Sequence, residues 1–257
     1  MVIVCLQLNW GVRPRAPCLV LVQMTLVAGI DGCPGGWLRI EHDRQTNRVR
    51  ASVFSTAAAL VIDAANFAIL AIDIPIGLSE NGWRACDIAA RRLLGPPRAS
   101  SVFPAPSRRV LGANTYEEAV ARSVAACGKK MSKQSFAILD RIAEVDRMLQ
   151  ASPALREKVR EIHPEVCFYF LNGRRPMLHA KRSAAGAAER DALLATVFGS
   201  AFADVRSQIP KRLATDDDIR DALVAAWTAG RIADGRAESI SSESVMDVTG
   251  LPMEMRA

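Results

Sequence analysis

The sequence predicts a mixed α/β fold, a central sheet flanked by helices, and three observations predict it. Residues 26–31, Leu-Val-Ala-Gly-Ile-Asp, are a short apolar run closed by Gly32, Pro34, Gly35 and Gly36, the pattern of a buried strand that turns at its end. Residues 67–74 repeat the pattern and close on Asp73-Ile-Pro-Ile-Gly. The order strand, strand, strand, helix, strand, followed mainly by helical periodicity, is not a strict βαβ alternation. A chain of 257 residues suits one large domain or two small ones with a sizeable core. Half of its residues are apolar and 23% are charged, ordinary for a globular protein.

Taken in order, residues 1–23 hold apolar stretches interrupted by Arg13 and Arg15, without the layout of a signal peptide. Met24 opens Met-Thr-Leu-Val-Ala-Gly-Ile-Asp and reads as a natural start. The first 23 residues are therefore expected to be a non-native or disordered extension, and residues 24–257 a single domain. After the glycine-rich turn, residues 37–41 and 49–54 read as two strands, with a polar connection containing Asn47 that suits a hairpin. Ser55 and Thr56 offer an N-cap to an alanine-rich helix over 57–65. Residues 67–74 then form the next buried strand.

Residues 78–133 differ in character and read as a helical and loop insertion. A helix is expected over 81–94, stopped by Pro96 and Pro97, then a hydroxyl-rich and basic loop over 100–109, and another helix over 116–126. Arg91, Arg92, Arg98, Arg108, Arg109, Lys129, Lys130 and Lys133 place much of the chain's positive charge here. They read as a lobe that grips phosphates, with Lys181 and Arg182 in support; an ordinary solvated surface accounts for the same charges equally well. Residues 134–150 carry Phe136, Ile138, Leu139, Ile142, Val145 and Leu149 at helical spacing. A short strand over 159–163 ends at His163, and Pro164 starts a helix over 165–171. Helices over 187–198 and 217–234 follow, the second with Ile219, Leu223, Ala226, Trp227 and Ile232 as its apolar stripe. The tail at 250–255 is expected to dock back as a short closing strand.

Composition excludes several classes. No apolar run approaches the roughly 20 residues that span a bilayer. Six cysteines without a Cys-x-x-Cys pair disfavour zinc and fit reduced thiols in a cytoplasmic protein. Walker A and Rossmann spacings are absent. The net charge of +6 and pI near 9.2 suit an anionic partner.

The chemistry is expected from carboxylates. Asp31 and Asp73 each end a central strand, while Asp218 and Asp221 sit at i and i+3 on one helix face and can point to a common spot. Glu165 begins a helix just after a strand and can join them, although a capping role explains it equally. Oxygen ligands without paired histidines suit Mg²⁺ or Mn²⁺, and two such ions would serve phosphodiester cleavage. Asp217 is better explained by the helix dipole, and His163 by a structural role. Glu144 reads as a group supporting the site and Asp146 as surface or structural. Arg84, Asp87 and Arg91, at i, i+3 and i+7, read as a charge ladder within one helix.

Several blocks carry a family resemblance: Gly-Ile-Asp31-Gly-Cys with Gly-Trp37, Ala-Ile-Asp73-Ile-Pro-Ile-Gly-Leu, Arg84-x-Cys-Asp87-x-x-Ala-Arg91, Ser-Ser-Val-Phe103-Pro-x-Pro, Gln134-x-Phe, Glu144-Val-Asp146, Glu161-x-His163-Pro-Glu165 and Asp218-x-x-Asp221-Ala. In this order they resemble the domain-of-unknown-function family 429, regarded as predicted RNase H-like nucleases, over about residues 26 to 255. The last block is also similar to Holliday-junction resolvases of the RuvC type. The resemblance implies an RNase H-like fold and a metal-dependent nuclease acting on DNA or RNA. It implies that Asp31, Asp73, Asp218 and Asp221 are the metal ligands. The chain departs from the resolvase pattern in having Asp, not Glu, at the second position, and in its long insertion. Two other readings compete: a nucleotide-phosphate-binding protein of the actin and sugar-kinase kind, using the Gly32–Gly36 turn, and a non-catalytic nucleic-acid-binding module.

Overall fold

The computed structural model describes residues 24–242 and 245–257, so the expectation for residues 1–23 falls outside the described residues. Five strands, β1 (Leu26–Cys33), β2 (Gly36–Asp43), β3 (Arg48–Phe54), β4 (Leu70–Ile72) and β5 (Val159–Glu161), form one sheet in the order β3-β2-β1-β4-β5. The first three make an antiparallel meander, and β1, β4 and β5 run parallel. The helices are α1 (Ala57–Leu60), α2 (Ala85–Leu94), α3 (Tyr116–Cys127), α4 (Lys133–Ala137), α5 (Leu139–Ala151), α6 (Pro153–Lys158), α7 (Pro164–Leu171), α8 (Ala184–Phe198), α9 (Ala201–Gln208) and α10 (Asp216–Ala233). The protein is thus a mixed α/β sheet flanked by helices.

Alternation along the strands splits the core in two. Val27, Leu38, Ile40 and Ala71 face α7, α8, α9 and α10. Ala28, Ile30, Leu70 and Ile72 face α1 and α5, where Ile142, Val145 and Leu149 pack. On the first face α10 lies almost flush on β1. A Cβ at Gly29 would stand 2.1 Å from both Ala222 O and Ala226 N, so only glycine permits this approach. The contact sets the spacing between Asp31, two residues along β1, and Asp221, next to Ala222 on α10. Gly29→Ala is therefore expected to cost about 3 kcal/mol or more, at the top of the overpacking range because backbone blocks the methyl. Urea denaturation measures it, and a loss below about 1 kcal/mol would show that the helix shifts freely.

Several local expectations change. The helix expected over 57–65 ends at Leu60 and resumes as a 3-10 turn at Ala64–Asn66, while Thr56 caps α1 by accepting the Ala59 N–H. The strand expected over 67–74 is regular only at Leu70–Ile72, although Ala68, Ile69 and Asp73 also bond to β1. The single helix expected over 134–150 breaks at Ile138 into α4 and α5. Helices α6 and α9 carried too weak a periodicity to read in advance. In the β2–β3 connection Asn47 takes a left-handed φ of 54°, which asparagine tolerates. The tail forms isolated bridges, Ser239 to Arg256 and Met246 to Pro252, instead of a strand, with Met255 and Ala257 buried.

Buried charge also departs from expectation. Arg84 is not one rung of a ladder within a helix. It caps α2 and is buried, with Nη2 2.6 Å from both Asp87 Oδ1 and Glu161 Oε1, and Nη1 2.7 Å from Glu161 Oε2. Arg91 instead donates to Val102 O at 2.5 Å. Of the two readings of Asp146, surface or structural, the structural one holds. Asp146 is buried and pairs with Arg108, whose guanidinium also meets Asp247. Burial works to raise the Asp247 carboxyl, but the Leu78 and Leu251 N–H groups, the Thr249 hydroxyl and Arg108 outweigh it and pull it down to about 2. The stability that Asp247 gives is therefore present above about pH 4 and lost as the pH falls toward 2. Glu144 receives Trp37 Nε1–H at 3.1 Å and the Ala57 N–H at 2.6 Å, anchoring α1 rather than supporting the acidic cluster.

Candidate functional site

The parallel pairing of β1 and β4 brings the first two acids together. Ile30 lies opposite Ile72 and the Asp73 N–H donates to Ile30 O at 2.9 Å, so Asp31 and Asp73 are neighbours on adjacent strands. Both share the sheet face of Gly29 and Ala71, the face that α10 covers. Asp221, one turn inside α10, faces them. This is the carboxyl end of a parallel strand pair, where α/β sheets bind ligands.

The electrostatics are those of crowded like charges. Burial, then repulsion from Asp221 and Asp73, holds the Asp31 carboxyl well above the usual carboxylate range. Burial, then Asp221, pushes Asp73 up to about 8. Burial raises Asp221, with Lys181 pulling the other way. Lys181 Nζ pairs with Asp221 Oδ2. Burial alone would lower its ammonium, but Asp221, and then Asp31 and Asp73, hold it above its ordinary value. Among the described residues, the side chains of Asp31 and Asp73 have no hydrogen-bond partner. One ammonium thus serves three carboxylates.

Two further oxygens are left unsatisfied. Asp221 Oδ1 and Glu165 Oε1 are buried without a partner. Arg190, fully buried on α8, holds Glu165 Oε2 at 2.6 Å and leaves Oε1 free at the cleft. Buried, unpartnered carboxylate oxygens are costly and suit a cation. Arg190 escaped the sequence reading, although it interrupts a buried stripe of Gly186, Leu194 and Phe198, a pattern that signals a paired buried charge. Asp218 has a double position. Its carboxylate accepts the Thr215 N–H at 2.7 Å in a capping box, yet its charge still reaches Asp31. Asp217 pairs with Arg220 at 3.3 Å.

Both ring nitrogens of His163 are engaged, as its expected structural role requires. Its Nδ1 accepts the Glu165 N–H at 3.2 Å, its Nε2 lies 3.2 Å from Ser101 O, and burial followed by Lys181 pushes it down to about 4. Within the Gly32–Gly36 turn Pro34 has no N–H, and the Gly35 N–H donates to Leu213 O at 2.8 Å, so neither offers an amide to a phosphate.

A cleft of about 1040 Å³ opens over this cluster and includes Asp73, Glu165, Asp218 and Asp221. Of the expected basic residues, Arg98 and Lys181 line it. Arg108, also expected to bind nucleic acid, lies outside the cleft wall and is held in its pairs with Asp146 and Asp247. Arg91, Arg109, Lys129, Lys130 and Lys133 lie outside the cleft wall, and Lys129 stacks 4.4 Å from the centre of the Trp83 ring. Arg182 and Arg220 line the cleft as well.

A second acidic group lies apart. Cys86, Asp87 and Glu161 are buried with ligand atoms within 4.8 Å of one another, a spacing that could hold a metal ion. Arg84 already supplies positive charge to both carboxylates, and burial pushes the Cys86 thiol up to about 12, which makes it a poor ligand. The aspartates over the cleft stand wider apart than that spacing.

Asp73 gives a direct test of the crowding. Its folded value of about 8 exceeds the ~4 of an unfolded aspartate, so the folded chain holds the extra proton in between and stability falls as pH rises from about 4 to about 8. Asp73→Asn is expected to raise the melting temperature at about pH 8 and to flatten its decline above about pH 5, measured by calorimetry without divalent ions. An unchanged slope would contradict the crowding.

Fold and site together define a mixed α/β protein with a buried acidic cluster at the carboxyl ends of two parallel strands. The chain belongs to the family described as Protein of unknown function (DUF429), which matches residues 29–245. No curated protein and no solved structure matches the chain significantly. Among the described residues no helix is long and apolar enough to cross a membrane.

Proposed function

We propose that the cleft is the site of a metal-dependent phosphodiesterase on an RNase H-like fold, cleaving DNA or RNA. One observation carries the reading: the buried Asp31 and Asp221 and the half-buried Asp73 repel one another with a single ammonium among them, and two carboxylate oxygens of cleft-lining residues lack partners. Such a cluster is poorly stabilised by the chain alone and is relieved by a divalent cation. Oxygen donors select Mg²⁺ or Mn²⁺ over softer-ligand metals. Asp31, Asp73 and Asp221, set wider apart than one ion spans, would hold a pair of such ions between them, with Asp218 beside them.

When bound, such an ion supplies an activated water and stabilises charge on a leaving oxygen. The rest falls to the chain's own residues. Lys181 holds the three acids together through its ammonium. Arg190 fixes Glu165 with one oxygen free at the cleft. Arg98 and Arg182, on the cleft wall, supply positive charge to a phosphate backbone.

The test is cleavage of end-labelled single- and double-stranded DNA and RNA by purified protein. Products are expected with Mg²⁺ or Mn²⁺ and not with EDTA. Cleavage that survives EDTA would overturn the metal site, and no cleavage of any substrate with either ion would overturn the phosphodiesterase.

A further inference from the structure

The cleft wall carries an aromatic ring that the acidic floor does not use. Phe103 lines the cleft and is 49% exposed. Burying a phenylalanine is worth about 1.5–3 kcal/mol, so a ring left in solvent needs a reason. Here the backbone on both sides is fastened. Val102 is buried and its carbonyl receives Arg91, while the Ala105 N–H donates to the buried Asp87 Oδ2 at 2.9 Å. Asp87 is tied through Arg84 to Glu161 on β5, so the loop that presents Phe103 is anchored to the sheet. Ser101 O is held in turn by His163, at the start of α7.

Arg98 lies just upstream in the 3-10 turn Arg98–Ser101 and lines the same cleft. Among the described residues its guanidinium makes no hydrogen bond and no ion pair, and its Nε is buried without a partner. A guanidinium with no partner among the described residues and an exposed ring, lining one cleft together with the carboxylates, match one nucleotide: base on ring, phosphate on guanidinium, and phosphodiester toward the acids.

We propose that the cleft takes nucleic acid that is locally single-stranded and stacks one unpaired base on Phe103. The inference rests on the phosphodiesterase reading and names its substrate class. In a duplex the faces of an internal base are covered by its neighbours, so a protein ring can stack only on a base that is free.

Fluorescence anisotropy tests it, with labelled single-stranded and blunt duplex oligonucleotides of one sequence, in DNA and RNA forms, and Ca²⁺ in place of Mg²⁺ to suppress cleavage. Single strands are expected to bind more tightly than the duplex. Phe103→Ala is expected to weaken single-strand binding roughly tenfold, the scale of a base–aromatic stack, and to leave duplex binding unchanged. Phe103→Trp should keep the affinity. Melting temperature should fall by no more than a few degrees, because half of the ring is exposed. Equal binding of single and double strands, or a Phe103→Ala effect that is absent or the same on both, overturns the substrate class. In those cases metal-dependent cleavage by the parent protein still supports the phosphodiesterase reading. Failure to bind or cut any oligonucleotide overturns both.

Discussion

The Asp31→Asn protein is expected to lose metal-dependent cleavage by at least about a hundredfold and, without divalent ions, to melt above the parent protein. The two effects share one cause. Asp31 is buried, faces Asp221 and Asp73, and is held well above the usual carboxylate range. A carboxyl whose folded value is raised costs stability at every pH above its unfolded value, because the fold must either keep a proton or carry an unrelieved charge. Asparagine keeps the shape and removes the charge. It also removes a ligand, so added Mn²⁺ should raise the melting temperature of the parent and leave the variant nearly unmoved. Thermal denaturation with and without Mn²⁺, together with the cleavage assay, reads all three outcomes. A variant that cleaves at the parental rate, or that gains as much from Mn²⁺, would overturn the assignment of Asp31.

Replacing Arg84 by methionine is expected to cost about 3–5 kcal/mol, the scale of breaking a buried ion pair by removing one partner. Arg84 is fully enclosed and donates to Asp87, Glu161, Ile76 O and Gly77 O. Its loss would leave two buried carboxylates facing each other. Lysine should not rescue it, since an ammonium cannot form the forked contacts of a guanidinium. A triple change of Arg84→Met with Asp87→Leu and Glu161→Leu should recover much of the loss, because no uncompensated charge then remains. Urea denaturation of the three variants measures this. A cost below about 1 kcal/mol for Arg84→Met would show that water reaches the carboxylates.

The two designs also separate the two acidic groups of the protein. Around Arg84 one guanidinium and the Ile76 and Ala105 N–H groups satisfy all four oxygens of Asp87 and Glu161, and the network ties the loop carrying Phe103 to the sheet edge. Around Lys181 the Asp31 and Asp73 carboxylates and Asp221 Oδ1 have no hydrogen-bond partner among the described residues. The first group therefore acts as structure, and the second is where an external cation is needed.

Much of this was legible in the amino-acid order. Two apolar runs ending near Asp31 and Asp73, each followed by glycine and proline, locate strands that belong inside a sheet, and the stripe of Ile219, Leu223 and Ala226 locates the helix that covers them. The meander of β1, β2 and β3 follows from the Gly35–Gly36 turn and from Asn47. Less could be read of the short segments. The break at Ile138 and the shortness of β4 depend on what each segment packs against, and periodicity carries no record of that.

The sequence by itself determined which acids stand at strand ends and on the α10 face, because periods of 2 and 3.6 residues are local geometry. The tertiary structure alone decided which charges are free. Arg108 looked available for a phosphate and pairs with Asp146 and Asp247, 38 and 139 residues away; Arg84 looked local and reaches Glu161, 77 residues on; Lys181 looked like a cation for the nucleic-acid backbone and sits on Asp221. Charge pairing depends on distance and burial, and both are set by the packing of residues remote in the chain.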